Sequence, residues 1–433
     1  MSVGGSFVQS AQIPLISLIT VNLNGRSHLE VLLASIQEQT YPSNRIEIIV
    51  VDNGSMDDSV EFLEARHPQV KVIRNQTNEG FARPNNQAAK VAQGEYLALV
   101  NNDMKLESDW TETMLRFIQE SPPDVACVGS RILNWDGSKI DFIRGTMAFN
   151  GMGFQPGFDT RIDSPAAKDY PDELLFACGG ALLIRREVFV EAGGFDEDYF
   201  AYYEDVDLGW RLWVLGYRVR FCPEAVVYHR HNGTSGRFDW RKKVVLFERN
   251  AMFSLVKNYE DQTLAKLWPA ALLLGFKRMA VRSGIEREDF RFGPPPPRPE
   301  VADVPPVSTG RKLLSNLKHQ GLKPTVKKIL VTIARKVVRK WGGQSEEMGA
   351  TAPIQREAYA SVVGMEDFID HLPRIFEKRR VIQAKRRRSD AEIFRIFGDA
   401  LSPVEGRPGY VESHWSIARE LGLKELFSVE KVI

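Results

Sequence analysis

Through the first hundred residues, short apolar runs alternate with helical periods, and each run ends in polar side chains. Leu15 to Val21 reads as a buried strand closed by Asn22-Leu23-Asn24-Gly25. Leu29 to Gln39 then places Leu29, Leu32, Leu33 and Ile36 at helical spacing. Ile46 to Val51 is the next strand, followed by Asp52-Asn53-Gly54-Ser55. A helix around Asp58 to Arg66, a short strand from Val70 to Arg74 and a helix from Asn85 to Gln93 precede the run Tyr96 to Val100, which ends in Asn101-Asn102-Asp103. That order restricts the chain to an α/β fold, a mainly parallel sheet with helices on both faces. Ligands of such sheets sit at the C-terminal strand ends. Asn22, Asp52 and Asp103 are therefore predicted to meet in one crevice.

A second acidic site lies within Tyr202-Tyr203-Glu204-Asp205-Val206-Asp207-Leu208-Gly209-Trp210-Arg211. Like charges this close near a core persist where something uses or neutralises them. Leu208 to Leu215 reads as a helix stopped by Gly216, with Glu204 and Asp205 at its N-terminal end, where the dipole favours their charged forms and the neighbouring acids oppose them. Asp207 and Arg211 form an i,i+4 pair, which leaves Glu204 or Asp205 free to take a proton from a hydroxyl nucleophile. Capping and ion pairing without chemistry would use the same residues. Asp103, at a strand end, is a carboxylate suited to a hard divalent cation bridging diphosphate oxygens, although Asn-Asn-Asp is also ordinary turn chemistry. His229 follows a β-like run, and its imidazole beside carboxylates would favour Mn²⁺ over Mg²⁺; His231 could serve either face. Gly179 and Gly180 mark a close approach of backbone or ligand.

The 433 residues suffice for one large or two modest domains. The three cysteines are scattered, which fits a reduced compartment better than a disulfide framework or zinc site. No secretory leader is read at the N-terminus, and no apolar run approaches the ~18 residues of a membrane span. A net charge of +1 conceals an uneven distribution, because residues 311–341 contain no Asp or Glu. There Val326, Ile329, Leu330, Ile333, Val337 and Trp341 form one apolar stripe of a basic amphipathic helix, able to lie on an anionic membrane surface or to pack on its own domain. No nucleic-acid module accompanies the charge, so no nucleic-acid partner is expected. Phe292-Gly293-Pro294-Pro295-Pro296-Pro297 marks a linker, and Ser389 with Glu392 reads as a capping box.

Taken in order, Thr20-Val21-Asn22-Leu23-Asn24-Gly25, Val51-Asp52-Asn53-Gly54-Ser55, Asn78-Glu79-Gly80-Phe81-Ala82, Asn101-Asn102-Asp103, Gly179-Gly180-Ala181, Gly193-Gly194-Phe195-Asp196-Glu197 and Tyr203-Glu204-Asp205-Val206-Asp207 resemble an inverting family 2 glycosyltransferase of the GT-A fold. The chain is especially similar to bacterial rhamnosyltransferase-like enzymes of cell-surface polysaccharide assembly. The resemblance implies a catalytic domain over residues 14–260; beyond it, composition and pattern suggest a helical extension at 261–283, a linker at 284–310, the basic helix at 311–341, a second linker at 342–355 and a helical region at 356–433. It implies a nucleotide-sugar site of Val21, Leu23, Asp52, Gly80, Arg83, Asn102 and Asp103, with Asp52 at the nucleobase and Arg83 reaching a phosphate. Asp205 matches the family's catalytic base, beside Glu204; Gly179 and Gly180 fall on the acceptor side; Asp103 and His229 fall at the metal. Asn101 replaces the first acid of the family's DxD pattern, and Leu23 replaces a frequent aromatic. The implied partners are a divalent cation (Mn²⁺ or Mg²⁺), a dTDP- or UDP-sugar donor and a glycan or lipid-linked acceptor. The implied location is cytoplasmic, peripheral on the inner face of the membrane. Two other readings stay open. A sugar-nucleotide nucleotidyltransferase would need a Gly-rich basic loop after the first strand, where Asn22 to Arg26 supplies none; a non-catalytic glycan-binding protein would fit the depleted acidic motif.

Overall fold

The computed structural model describes residues 13–230, 239–284, 356–398 and 400–427. The basic helix 311–341, the linkers around it and His231 lie outside them. The elements of the first half are β1 (Ile16–Asn22), α1 (Arg26–Gln37), β2 (Ile46–Asn53), α2 (Ser59–Arg66), β3 (Lys71–Asn75), α3 (Ala82–Val91), β4 (Tyr96–Val100), β5 (Met104–Leu106), α4 (Trp110–Glu120), β6 (Val125–Asn134), β7 (Ile140–Phe142), β8 (Thr146–Met147) and β9 (Gly153–Phe154). There follow β10 (Ala181–Arg185), α5 (Arg186–Glu191), α6 (Glu204–Val214), β11 (Arg218–His229), α7 (Trp240–Asn258), α8 (Asp261–Ser283), α9 (Arg356–Ala384), α10 (Asp390–Phe394), α11 (Pro408–Glu420) and α12 (Leu423–Phe427).

The main sheet runs β3-β2-β1-β4-β10-β6-β11-β5, with β7 attached to β6. Its first four strands are parallel, as the strand–helix alternation predicts; the centres of β1, β2 and β4 are wholly buried, whereas β3 at the edge is half-buried. Beyond β4 the sheet becomes mixed. β10 is antiparallel to both β4 and β6, whereas β11 returns parallel to β6. The architecture is α/β, a mixed sheet flanked by helices and carrying a helical C-terminal extension. The inverted strand has a consequence for function. It brings the segment before Ala181 to the same rim as the end of β4, so Asn101 N–H donates to the Gly180 carbonyl at 2.9 Å.

α1 buries Leu29, Leu32, Leu33 and Ile36 on one face, the stripe read from its sequence. α6 and the C-terminal helices share one core: the Trp210 ring lies 4.7 Å from Tyr259 and 5.3 Å from Phe397. Fully burying aromatic rings of this size contributes about 1.5–3 kcal/mol each before entropy is counted. The C-terminal helices are thus packed into the same compact unit as residues up to 284. The capping box at α10 is formed, Ser389 and Glu392 each bonding the other's backbone N–H.

Candidate active site

The three polar strand ends meet. Asn22 Nδ2 donates to Asp52 Oδ1 at 3.2 Å, and Asn22 Oδ1 accepts from Asn102 Nδ2 at 2.8 Å. Asp52 Oδ2 also accepts the Ser55 N–H at 3.0 Å, so its carboxylate is fixed from two sides. Val21 and Leu23 are half-buried beside this chain of amides. Asn53 spans to the next loop, donating to the Gly80 carbonyl at 2.8 Å and accepting from the Glu79 N–H. Gly80 adopts φ +83°, and a Cβ there would come within 2.3 Å of the Phe200 carbonyl oxygen. Only glycine fits that approach. Arg83 is half-exposed and engaged by Glu79 at 3.0 Å and Glu197 at 4.0 Å; its charge faces acids on its own rim.

Asp103 is buried, and its Oδ2 lies 3.4 Å from His229 Nε2. The other ring nitrogen of His229 pairs with Asp141 on β7. Burial opposes charge on this imidazole, yet the two carboxylates raise its pKa to about 10. A His held through Nδ1 by a carboxylate, with Nε2 turned to a second carboxylate, has the arrangement that orients metal-ligating imidazoles. Among the described residues no three His, Cys, Asp or Glu side chains are grouped to hold an ion unaided. One carboxylate oxygen and one imidazole nitrogen fit a Mg²⁺- or Mn²⁺-type ion that completes its shell with substrate phosphates and water. Asp141 is absent from the sequence reading. Its one signal is a charged residue inside the apolar run Ile140-Asp141-Phe142-Ile143.

Asp205 opens α6, as its sequence suggests. Its Oδ2 accepts the Gly179 N–H at 2.9 Å and its Oδ1 accepts the Val206 N–H at 2.8 Å. A Cβ at Gly179 would sit 3.3 Å from both Asp205 Cβ and the Phe81 ring. Gly179 holds Asp205, Gly180 holds Asn101, and Asp103 follows two residues on. The two acidic sites therefore share one rim of the sheet. The dipole of α6 does not decide the charge state of Glu204 and Asp205. Burial pushes the Asp205 carboxyl above its usual range against the Gly179 and Val206 donors. Burial, then Asp205, pushes Glu204 well above its own range, and Glu204 Oε2 has no hydrogen-bond partner among the described residues. The helix end contributes typically ~0.3–1 kcal/mol, which full desolvation exceeds.

The backbone before α6 is bent hard. Phe200, Tyr202 and Tyr203 have φ of 63°, 66° and 71°, the left-handed region that costs bulky residues about 1–3 kcal/mol each. α7 holds this turn by its carbonyls. Asn250 Nδ2 donates to Tyr199, Ala201 and Tyr202 oxygens at 3.1, 3.0 and 2.7 Å, and Arg249 Nη2 to Asp198 and Tyr199 oxygens at 3.0 Å each. Beneath α6, Asp207 is wholly buried between Arg211 at 2.7 Å and Lys257 at 2.9 Å, so the Asp207–Arg211 pair is structural, as its spacing suggests. Nothing in the sequence pattern announces Arg249, Asn250 or Lys257 as supports of the site.

Residues 17–193 match the model described as glycosyl transferase family 2, and residues 161–273 match that described as glycosyl transferase family group 2. An uncharacterized protein, y4gI, of Sinorhizobium fredii is 30% identical over 254 residues, covering 54% of this chain and 26% of that protein. The chain thus spans about a quarter of that relative's length. The N-acetylglucosaminyl-diphospho-decaprenol L-rhamnosyltransferase of Mycobacterium tuberculosis is 27% identical over 249 residues, covering 52% of this chain and 78% of that one. A solved mannosyltransferase of Pyrobaculum calidifontis, in complex with GDP-Man and Mn²⁺, superimposes with TM-score 0.45 at 15% identity, covering 83% of this chain and 88% of that chain.

Proposed function

The chain belongs to the family 2 glycosyltransferases, and we propose that it moves a sugar from a nucleoside-diphosphate sugar to an acceptor hydroxyl in one inverting displacement, with Asp205 as the base. The observation that carries the reading is the tie of Asp205 through Gly179, Gly180 and Asn101 to the Asp103 loop, which puts a proton acceptor on the same rim as the donor residues. Asp205 accepts the hydroxyl proton as that oxygen attacks the anomeric carbon, an assistance worth about 10²–10⁴ in rate. The Gly179 and Val206 N–H groups keep its carboxylate oriented. Asp52, with Val21 and Leu23, receives the nucleobase; Asn102 meets the ribose. Asp103 and His229 would hold Mn²⁺ or Mg²⁺, which supplies neutralising charge for the leaving diphosphate.

For the donor we propose a dTDP- or UDP-sugar, and for the acceptor a lipid-linked or polysaccharide glycan. The name of the mycobacterial relative, a transferase onto a diphospho-decaprenol, supports this acceptor class. Metal-dependent release of nucleoside diphosphate across a panel of sugar nucleotides tests the donor. Release should appear with one or two donors, stop with EDTA and stop in Asp103→Ala. Release indifferent to EDTA and to Asp103→Ala would remove Asp103 and His229 from the proposed metal site.

Contact with an anionic membrane surface belongs to the same reading. No helix of the described residues is long and apolar enough to cross a membrane. Leu273 and Phe276 on α8 and Ile369 on α9 nonetheless stand 57%, 62% and 59% exposed, and Trp268 stacks on Phe376 between those helices. In sequence the acid-free stretch 311–341 lies between the same two helices. Exposed apolar side chains on two helices that a basic stretch joins in sequence suit an interfacial location. The full chain should sediment with phosphatidylglycerol vesicles and less with phosphatidylcholine; Phe276→Asp with Ile369→Asp should lower the bound fraction severalfold. Equal sedimentation of both proteins would remove this face from the membrane contact.

A further inference from the structure

Asp141 is a carboxylate set into an apolar run. Ile140, Phe142 and Ile143 are each 1% exposed, and Asp141 among them is 6% exposed. A carboxylate taken out of water needs charged or hydrogen-bonding partners to offset its lost hydration. The backbone is shaped around this residue. Ile132 of β6 pairs with Phe142 of β7, and Leu133 pairs with Ile140, so β7 carries one extra residue between the two pairs. That residue is Asp141. Bulges of this kind re-aim a side chain, and they gather beside active sites. Ile140 fixes the bulge from the outer side, donating to the Thr160 carbonyl at 2.8 Å and accepting the Asp159 N–H at 2.9 Å.

The re-aimed carboxylate meets Nδ1 of His229. The backbone of His229 is already fixed, paired with Met104 of β5 on one side and Asn134 of β6 on the other. The next residue, Arg230, donates its N–H to the Asp103 carbonyl at 2.9 Å. What these ladders leave open is the rotation of the ring and the choice of nitrogen that carries its proton. A carboxylate at Nδ1 sets both, because it keeps a proton on that nitrogen and leaves the Nε2 lone pair for an ion. Nε2 lies 3.4 Å from Asp103 Oδ2. Adjacent donors of an octahedral ion bound at ~2.1 Å stand about 3 Å apart, so this pair is spaced to share one ion.

We propose that, with Asp103 and His229 read as the cation's protein ligands, Asp141 is the positioning residue of that site: acting through His229, it sets the affinity for the cation and the preference for Mn²⁺ over Mg²⁺. Carboxylate oxygens serve both ions, whereas a correctly turned imidazole favours Mn²⁺. Loss of the outer partner of a ligating His typically costs about 10–100-fold in metal affinity.

The test is titration of the full chain with Mn²⁺, with UDP and dTDP present in turn, free Mn²⁺ being read by electron paramagnetic resonance and Mg²⁺ by competition. Asp141→Leu is expected to bind Mn²⁺ about 10–100-fold more weakly and to lose less for Mg²⁺, so its Mn²⁺/Mg²⁺ ratio falls to that of His229→Asn. In a His229→Asn background, Asp141→Leu should cost nothing further, since it acts only through the ring. Asp141→Asn, whose amide oxygen still accepts from Nδ1–H, should recover part of the affinity. Circular dichroism checks folding; should Asp141→Leu fail to fold, Asp141→Asn decides, by a loss of about threefold or more that vanishes in the His229→Asn background. Mn²⁺ binding that weakens in Asp103→Ala and His229→Asn but not in the Asp141 variants overturns the proposal and leaves the cation site standing. So does a loss at Asp141 that persists in full without His229. Binding indifferent to Asp103→Ala and His229→Asn overturns the site and the proposal together.

Discussion

Asp205→Asn is expected to lower transfer by about 10²–10⁴, the usual contribution of a positioned base, while nucleoside-diphosphate affinity changes less than threefold. The substitution is nearly isosteric, and its one amide oxygen can still accept from either the Gly179 or the Val206 N–H. What it removes is the ability to take a proton. The wild-type pH profile should carry the same signature. Burial raises the folded pKa of Asp205 against its backbone donors, so the base is protonated at a higher pH than an ordinary carboxylate. The acid limb of kcat/KM should therefore begin above the usual carboxylate range, with activity falling as pH falls through it, and Asp205→Asn should erase that limb. Glu204→Gln separates the neighbours. It replaces a carboxyl that burial and Asp205 already favour in the neutral form, so turnover should stay within about tenfold. A loss in Glu204→Gln as deep as in Asp205→Asn would move the base to Glu204. Unimpaired turnover by Asp205→Asn would leave the chemistry without an assigned base and favour a binding protein.

The residues legible in the sequence are those whose signal is local. Asn22, Asp52 and Asp103 each end an apolar run, so strand polarity alone places them on one rim. Asp205 stands out because three acids crowd the first turn of α6. Periodicity does not encode contacts between residues far apart in the chain. Asp141 meets His229 across 88 positions, Asn250 reaches the Tyr199–Tyr202 turn from about 50 positions away, and Lys378 reaches Asp196 across 182. The inversion at β10 is also invisible locally, because an apolar five-residue strand reads alike in either direction. The left-handed backbone at Phe200, Tyr202 and Tyr203 runs against the preference of those side chains. It follows from the carbonyl clamp of Arg249 and Asn250, and no local rule would place it there.

The clamp and α6 rest in turn on a buried ionic cluster, and here the largest effect on stability is expected. Lys257 is 1% exposed, with Asp196 at 2.5 Å, Asp207 at 2.9 Å and the Tyr199 ring at 4.6 Å. Lys257→Met keeps the length of the chain but strands two buried carboxylates with less positive charge. Removing one partner of a buried pair costs about 3–5 kcal/mol. Burial works against ionisation of Asp196 and Asp207, yet Lys257 with Lys378 holds the first below its usual range, and Lys257 with Arg211 holds the second. Carboxylates depressed in the folded state stabilise it above their unfolded pKa and lose that contribution as pH falls through the folded value. The gap between wild type and Lys257→Met, read as urea midpoints, should therefore be widest near neutrality and narrow below the ordinary carboxylate range. Adding Asp207→Asn to Lys257→Met should cost less than the sum of the two single changes, because the second removes a charge that the first had stranded. Equal midpoints for wild type and Lys257→Met at neutral pH, or strict additivity in the double variant, would mean that the cluster does not hold α6. Asp205, at the head of that helix, would then owe its position to Gly179 and the Asn250 clamp alone.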